Sequence, residues 1–559
     1  MRFLSSLFCI ITLWSALSLH AQTFSKYWIE FTDKNNSSYS ISNPSAFLSQ
    51  RAIDRRIKQN IAIQENDLPV NSWYIDSITN KGAKVLNRSK WFNAVTIYTT
   101  DTAILSKIKN LSFVKGASPV AMFKTSYDKN EYNKFTKETF QLLENNETAS
   151  TNGSTYNYGS ASNQITMISG DILHSLGYDG KGMVIAVLDA GFKNADKLIV
   201  FDSLRANNQI LGTWDFVEGN DSVYDDDNHG MEVLSTMGGN LPGQIVGTAP
   251  KASFWLLRSE DAATENPIEE DNWAAAAEFA DSVGADVINS SLGYSEFDNS
   301  SLNLTYANMD GNTSTITKAA DILASKGVLV VSSAGNEGNS SWKYITAPAD
   351  GDSVLTLGAV DANKNYASFS SIGPTYDGRI KPNVATQGYN ATIASPSGGI
   401  QNGSGTSFSS PIMAGAATCL WQAHPDLSNM EIKLAIEQSA SQYNNPDYYI
   451  GYGIPNLAMA DIVLTGVSIT DYDQDELLKV FPVPFKDKLN IWFYSTSNQD
   501  VNIEITNEIG KRVYTGQETV YKDSYNPMLI PDLKNLANGI YFFKLRTEKK
   551  SFIKKVLKQ

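Results

Sequence analysis

The sequence predicts an α/β protein: a parallel sheet flanked by helices, preceded by a small α+β domain and followed by an all-β sandwich. Three observations carry this. Between residues 164 and 465, short runs rich in β-branched residues alternate with helical stretches, the pattern of parallel strands joined by crossover helices. Residues 22–125 mix strand and helix patterns on a smaller scale, and residues 476–559 hold segments that alternate apolar and polar residues, as strands with one exposed face do. At 559 residues the chain is too long for one ordinary domain, and 42% hydrophobic residues supply the cores.

Residues 1–21 read as a signal peptide. Arg2 gives a positive start, Phe3 to Leu19 is largely apolar, and Ala21 offers a small residue at the cleavage point. A retained anchor is the alternative, and no later segment is apolar enough to span a membrane. Of the two cysteines, Cys9 leaves with the signal, and Cys419 sits in an apolar run that suits a buried core residue. The mature chain then has no internal disulfide. In the 22–125 domain, Tyr27–Phe31 and Phe92–Tyr98 read as strands, and Pro44–Gln59 and Ala103–Leu111 as helices. Residues 126–163 turn polar and read as a linker and maturation region. In the 164–465 domain the strands are Met183–Leu188, Ser253–Leu257, Val287–Ser290 and Val328–Ser333, with Trp273–Val283 and Ile316–Lys326 among the helices. A second polar stretch, 466–475, leads to the final domain, 476–559.

A net charge of −14 argues against a nucleic-acid partner. Histidine supply narrows the chemistry further. There are four: His20 leaves with the signal, His174 lies at a helix end, and His424 precedes Pro425. Only His229 stands in a polar setting followed by glycine, which makes it the candidate general base. With no pair of histidines at ligand spacing and one cysteine left, a catalytic zinc site is not expected. Asp189 ends a strand, where sites gather in open α/β sheets, and a buried carboxylate there can orient an imidazole. Capping of the next turn is the plainer role for that residue. Ser407 lies in Gly405-Thr406-Ser407-Phe408-Ser409-Ser410-Pro411, opening an apolar helix whose free N–H groups favour a developing oxyanion. Helix capping is again the plainer alternative, and Pro411 is expected in the first turn. Asn336, after the strand that ends at Ser333, can donate to an oxyanion or simply sit in a Gly turn. Ser291, Leu292 and Gly293 follow another strand and can offer backbone to an extended peptide.

With these residues in the order Asp, His, Asn, Ser, the central domain resembles the subtilisin-like proteases over about 300 residues. The resemblance rests on Asp189-Ala190-Gly191, His229-Gly230, Asn336 and the box around Ser407. It implies a secreted serine endopeptidase that hydrolyses peptide bonds through an acyl-enzyme on Ser407. His229 would serve as base, Asp189 as its orienting group and Asn336 as oxyanion donor, with Ser291, Leu292 and Gly293 binding substrate backbone. Catalysis would need no cofactor. A structural calcium ion is also implied, but no ligands can be assigned, and Asp225-Asp226-Asp227 reads as a solvated turn. Where the family usually has Thr-His-Val-Ala after His-Gly, this chain has Met231-Glu232-Val233-Leu234. Glu232 brings in a second reading, a serine-carboxyl peptidase with a Glu base, and an inactive surface adhesin is a third.

The 22–125 domain resembles a propeptide that assists folding and inhibits until cleavage within 126–163. The tail resembles type IX secretion sorting domains through Val480-Phe481-Pro482-Val483-Pro484, Gly539-Ile540-Tyr541-Phe542 and the basic end at Lys554-Lys555, although Val483 stands where Asn is usual. A β-sandwich binding module is the plainer reading of the tail. The partners implied are protein or peptide substrates, the chain's own propeptide and the type IX machinery. The destination implied is the outside or surface of a Gram-negative cell, reached through the periplasm.

Overall fold

The computed structural model describes residues 24–122, 133–142, 156–465, 474–522 and 524–559. The expected signal peptide, Cys9 and most of the 466–475 stretch lie outside the described residues.

At the centre is a seven-stranded parallel sheet. Its order is Val384–Gln387, Leu355–Val360, Leu329–Ser333, Val287–Ser290, Val184–Asp189, Ser253–Arg258 and Ile210–Asp215. The strands read as unbroken apolar runs because helices cover both faces. Alternation still decides which residue meets which layer. Ile185 and Val187 join the core that contains Met231, Phe254, Phe408 and Met413, whereas Val184, Ala186 and Leu188 join the opposite core with Trp273, Ile288 and Val330. Residue 189 continues the parity of 185 and 187, so its side chain belongs on the face covered by helices His229–Gly238 and Thr406–Ala423.

Before this domain stands a four-stranded antiparallel sheet with two helices, Ser72–Thr79 and Thr102–Lys109, packed against it. The expected single helix Pro44–Gln59 is two pieces, a 3₁₀ turn Pro44–Ala46 and an α-helix Gln50–Lys58. Ser49 separates them: it is extended, and its side chain accepts from the Ala52 N–H, starting a new helix instead of continuing the old one. After the central sheet, strands form sheets of three and four around a core that includes Phe485, Phe493, Ile503 and Phe543, the expected sandwich. Among the described residues, no helix is long and apolar enough to cross a membrane.

The stretch read as a linker is not featureless. Lys134–Lys137 forms a 3₁₀ turn, and Thr139–Leu142 pairs antiparallel with Ile400–Ser404, the strand that leads into the Ser407 helix. Polar composition concealed it, because its anchoring partners belong to the distant central domain.

Candidate active site

Asp189 is the last residue of its strand and fully buried. His229 begins the helix that crosses the same sheet face, and its Nδ1 lies 2.6 Å from Asp189 Oδ1. The close approach depends on Gly230, where a Cβ would come within 2.8 Å of Asp189 Cβ and 2.5 Å of the Gly191 carbonyl oxygen. The turn before His229, expected to be solvated, leaves Asp225 exposed but ties down its neighbours: Asp227 accepts from the His229 backbone N–H at 2.8 Å, and Asp226 lies 3.3 Å from Arg258. Asp189 Oδ1 also accepts from the Ala190 N–H at 2.8 Å, so both contacts fall on one carboxylate oxygen.

Ser407 is the second residue of the helix Thr406–Ala423. Pro411 stands at the sixth position, beyond the first turn where it was expected. Having no N–H, it leaves the Ser407 carbonyl without its helical donor. Ser291 fills the gap, its hydroxyl donating to the Ser407 carbonyl at 2.9 Å. The parity that directs Asp189 also turns Asn289 and Ser291 towards this helix, and Ser410 donates to Asn289 at 2.8 Å. Asn336 Oδ1 accepts from both the backbone N–H and the hydroxyl of Thr406, each at 2.9 Å. The oxygen end of that amide is thereby committed. Ser291, Leu292, Gly293, Asn336 and Ser407 line one cavity of about 290 Å³.

The structure joins Asp189 to His229, but the Ser407 hydroxyl points elsewhere, donating to the Ser291 carbonyl at 3.4 Å. Facing His229 Nε2 instead is Glu138 Oε1, at 3.3 Å. Phe135 stacks on the imidazole with ring centroids 3.9 Å apart and planes 12° from parallel. Segment 133–142 therefore lies across the site, and a Cβ on Gly405 would meet Glu138 Oε1 at 2.7 Å. Burial opposes protonation of His229, but the Asp189 and Glu138 carboxylates outweigh it and raise the imidazole well above its ordinary range.

The remaining candidates have other duties. His174 is buried, with Nδ1 2.7 Å from the Tyr158 hydroxyl and Nε2 2.9 Å from the Thr248 carbonyl. His424 lies 2.7 Å from Asp461, and Cys419 is buried and free. Glu232 accepts from Asn228 at 2.7 Å and Gln401 at 3.0 Å, and burial pushes its carboxyl up to about 8. As for calcium, the one trio of gathered acidic groups among the described residues is Glu260, Glu265 and Glu269, and the Lys134 ammonium occupies it. These residues do not identify a calcium site.

Sequence analysis did not find Glu138, Phe135 or Lys134. Each makes its contact more than ninety positions along the chain, and nothing local marks them.

Comparison with known proteins agrees with this architecture. Residues 180–453 match the subtilase family, residues 26–138 the Bacteroidota propeptide domain of peptidase S8, and residues 479–559 a secretion system C-terminal sorting domain. The chain is 30% identical to subtilisin DY of Bacillus licheniformis over 302 residues, 53% of this chain and 97% of that protein. It is 29% identical to subtilisin NAT of Bacillus subtilis subsp. natto over 389 residues, covering 69% and 85%. With subtilisin Savinase of Lederbergia lenta it shares 29% over 297 residues, covering 53% and 97%. The chain belongs to the subtilase family of serine endopeptidases.

Proposed function

We propose that this protein is an exported serine endopeptidase, made as an inactive precursor, that cleaves peptide bonds through an acyl-enzyme on Ser407. The observation that carries the reading is the 2.6 Å contact between His229 Nδ1 and Asp189 Oδ1 at the carboxyl end of the sheet. It leaves Nε2 as the nitrogen that can take a proton.

In the mature enzyme His229 Nε2 accepts the Ser407 proton as Oγ attacks the substrate carbonyl. The oxyanion is held by the Asn336 amide N–H and the Ser407 backbone N–H. Because Thr406 engages Asn336 Oδ1, the NH₂ end is the one free to donate. His229 then protonates the leaving amine nitrogen as the C–N bond breaks. Water, deprotonated by His229, releases the acyl group. Losing one oxyanion donor costs roughly 10²–10³ in turnover, a magnitude established on subtilisin itself.

The 22–125 domain and segment 133–142 act together as the inhibitor. Glu138 takes the place at Nε2 that Ser407 needs, so activity requires cleavage within 126–163 and withdrawal of this segment. The sorting-domain match supports export by the type IX route to the cell exterior or surface. The test is Ser407→Ala in the full chain. It should abolish peptide hydrolysis and leave the precursor uncut if maturation is autocatalytic; retained hydrolysis would reject the assignment.

A further inference from the structure

The cavity that holds Ser407 and Asn336 extends to Glu260 and Glu265, and in it lies a lysine side chain from the inhibitory segment. Lys134 Nζ contacts Glu260 Oε1 closely and lies 3.1 Å from both Glu265 Oε2 and Glu269 Oε2. The side chains of Glu260 and Glu269 are 1% exposed, that of Glu265 16% and that of Lys134 10%. One oxygen of Glu265 is buried without a hydrogen-bond partner. The pocket is rigidly built: Glu269 accepts from the Asn266 N–H and the Thr264 hydroxyl, each at 3.0 Å, and Tyr294 donates to Glu260. Among the described residues, Lys134 is the cation these carboxylates share.

We propose that Glu260, Glu265 and Glu269 form a substrate subsite for a basic side chain, lysine or arginine, and that Lys134 fills it in the precursor. Three carboxylates converging within 4.8 Å in a largely buried pocket are costly without a cation. Burial already pushes Glu265 up to about 8 against the pull of Lys134. When segment 133–142 leaves, the cost returns, and the next ammonium or guanidinium on a docked peptide relieves it. The geometry suits a side chain on a long stem, because Glu260 and Glu265 open onto the same cavity as the nucleophile, with Glu269 behind them. The inference rests on Ser407 being that nucleophile.

The experiment uses matured wild-type enzyme, a position-scanned peptide library, and then a matched pair of fluorogenic peptides differing only in Lys against Met at the preferred position. Active sites are counted in parallel with a fluorophosphonate. The lysine peptide should show a kcat/KM about tenfold or more above its methionine twin, and Glu265→Gln or Glu269→Gln should bring that ratio towards one. A ratio near one in wild-type enzyme that takes up the probe at Ser407 overturns the subsite while leaving the proposed function intact. A lysine preference that appears only after EDTA treatment and that added calcium abolishes overturns it too, since a metal ion would then be the ordinary occupant of the pocket. No probe uptake at all removes the proposed function and this inference together.

Discussion

Glu138 occupies the position beside His229 Nε2 that the proposed nucleophile, Ser407, would need. Its contact with His229 predicts that Glu138→Gln lets the unprocessed chain react with a fluorophosphonate several-fold faster than wild type, measured by gel fluorescence. The pH dependence follows from His229. A histidine raised by folding contributes stability that is fully present below about pH 6.5 and lost as pH climbs through its raised value. The His229 share of segment docking therefore weakens in alkaline solution, and precursor labelling should rise with pH above neutrality. Glu138→Gln should move that rise to lower pH, and an unmoved profile would deny the contact its role. Glu232 offers a second check. Its carboxyl is engaged by Asn228 and Gln401, so Glu232→Gln should still label, whereas His229→Ala should lose about four orders of magnitude or more. The reverse result would favour the serine-carboxyl reading. Asp189, His229, Asn336 and Ser407 could be singled out in the sequence because they stand at a strand end, beside glycine or, for Ser407, at a helix start, each in a recognisable box. Glu138 was not, because its meaning exists only opposite an imidazole 91 positions away.

Among the elements, the helix Ile268–Val283 decides how firmly the N-terminal domain is held. Its sequence shows a helix, but not why Glu278 and Asp281 should be buried on it. The docked domain explains both. Ser89 and the backbone N–H groups of Lys90 and Trp91 donate to Glu278, while Arg55, Arg56 and Lys90 converge on Asp281. Despite burial, Lys90 with both arginines holds the Asp281 carboxyl well below its ordinary range. Asp281→Ala leaves Arg55 and Lys90 without their carboxylate in a dry interface, Arg56 keeping Asp67, at about 3–5 kcal/mol. The cleaved N-terminal domain should then separate from the enzyme on gel filtration where the wild-type fragment co-elutes; unchanged co-elution would contradict this account. Because a depressed carboxylate stabilises above its unfolded value near 3.9, the Asp281 share of that docking should be lost only in strong acid. The split of Pro44–Gln59 shows the same limit of local reading. The apolar spacing continued across Ser49, but a side-chain cap there was worth more than continuity.

Over the whole molecule, the terminal sandwich touches the catalytic domain through a small apolar contact. Trp492 packs with Ala458, Met459 and Ile462, and Lys488 donates to the Ser175 carbonyl at 3.0 Å. None of these residues lines the cavity that holds Ser407, so a chain ending at residue 465 should still hydrolyse peptides. In cells with type IX machinery it should be missing from the exterior and surface fractions on immunoblots. Surface delivery of the shortened chain would show that residues 476–559 are not the address. The broad plan of three domains was readable from the alternation of strand and helix patterns. How the segments close over one another was not, since the contacts of 133–142 and of the Asp281 helix are made between residues that no local pattern relates.

The central claim is that Ser407 becomes a nucleophile paired with His229 once segment 133–142 is gone. Peptide mapping by mass spectrometry after fluorophosphonate treatment tests it most directly. The account predicts a phosphonyl adduct on Ser407 in matured enzyme, and little or none in uncleaved precursor. An adduct at another serine, or none in matured enzyme that cleaves peptides, would contradict it.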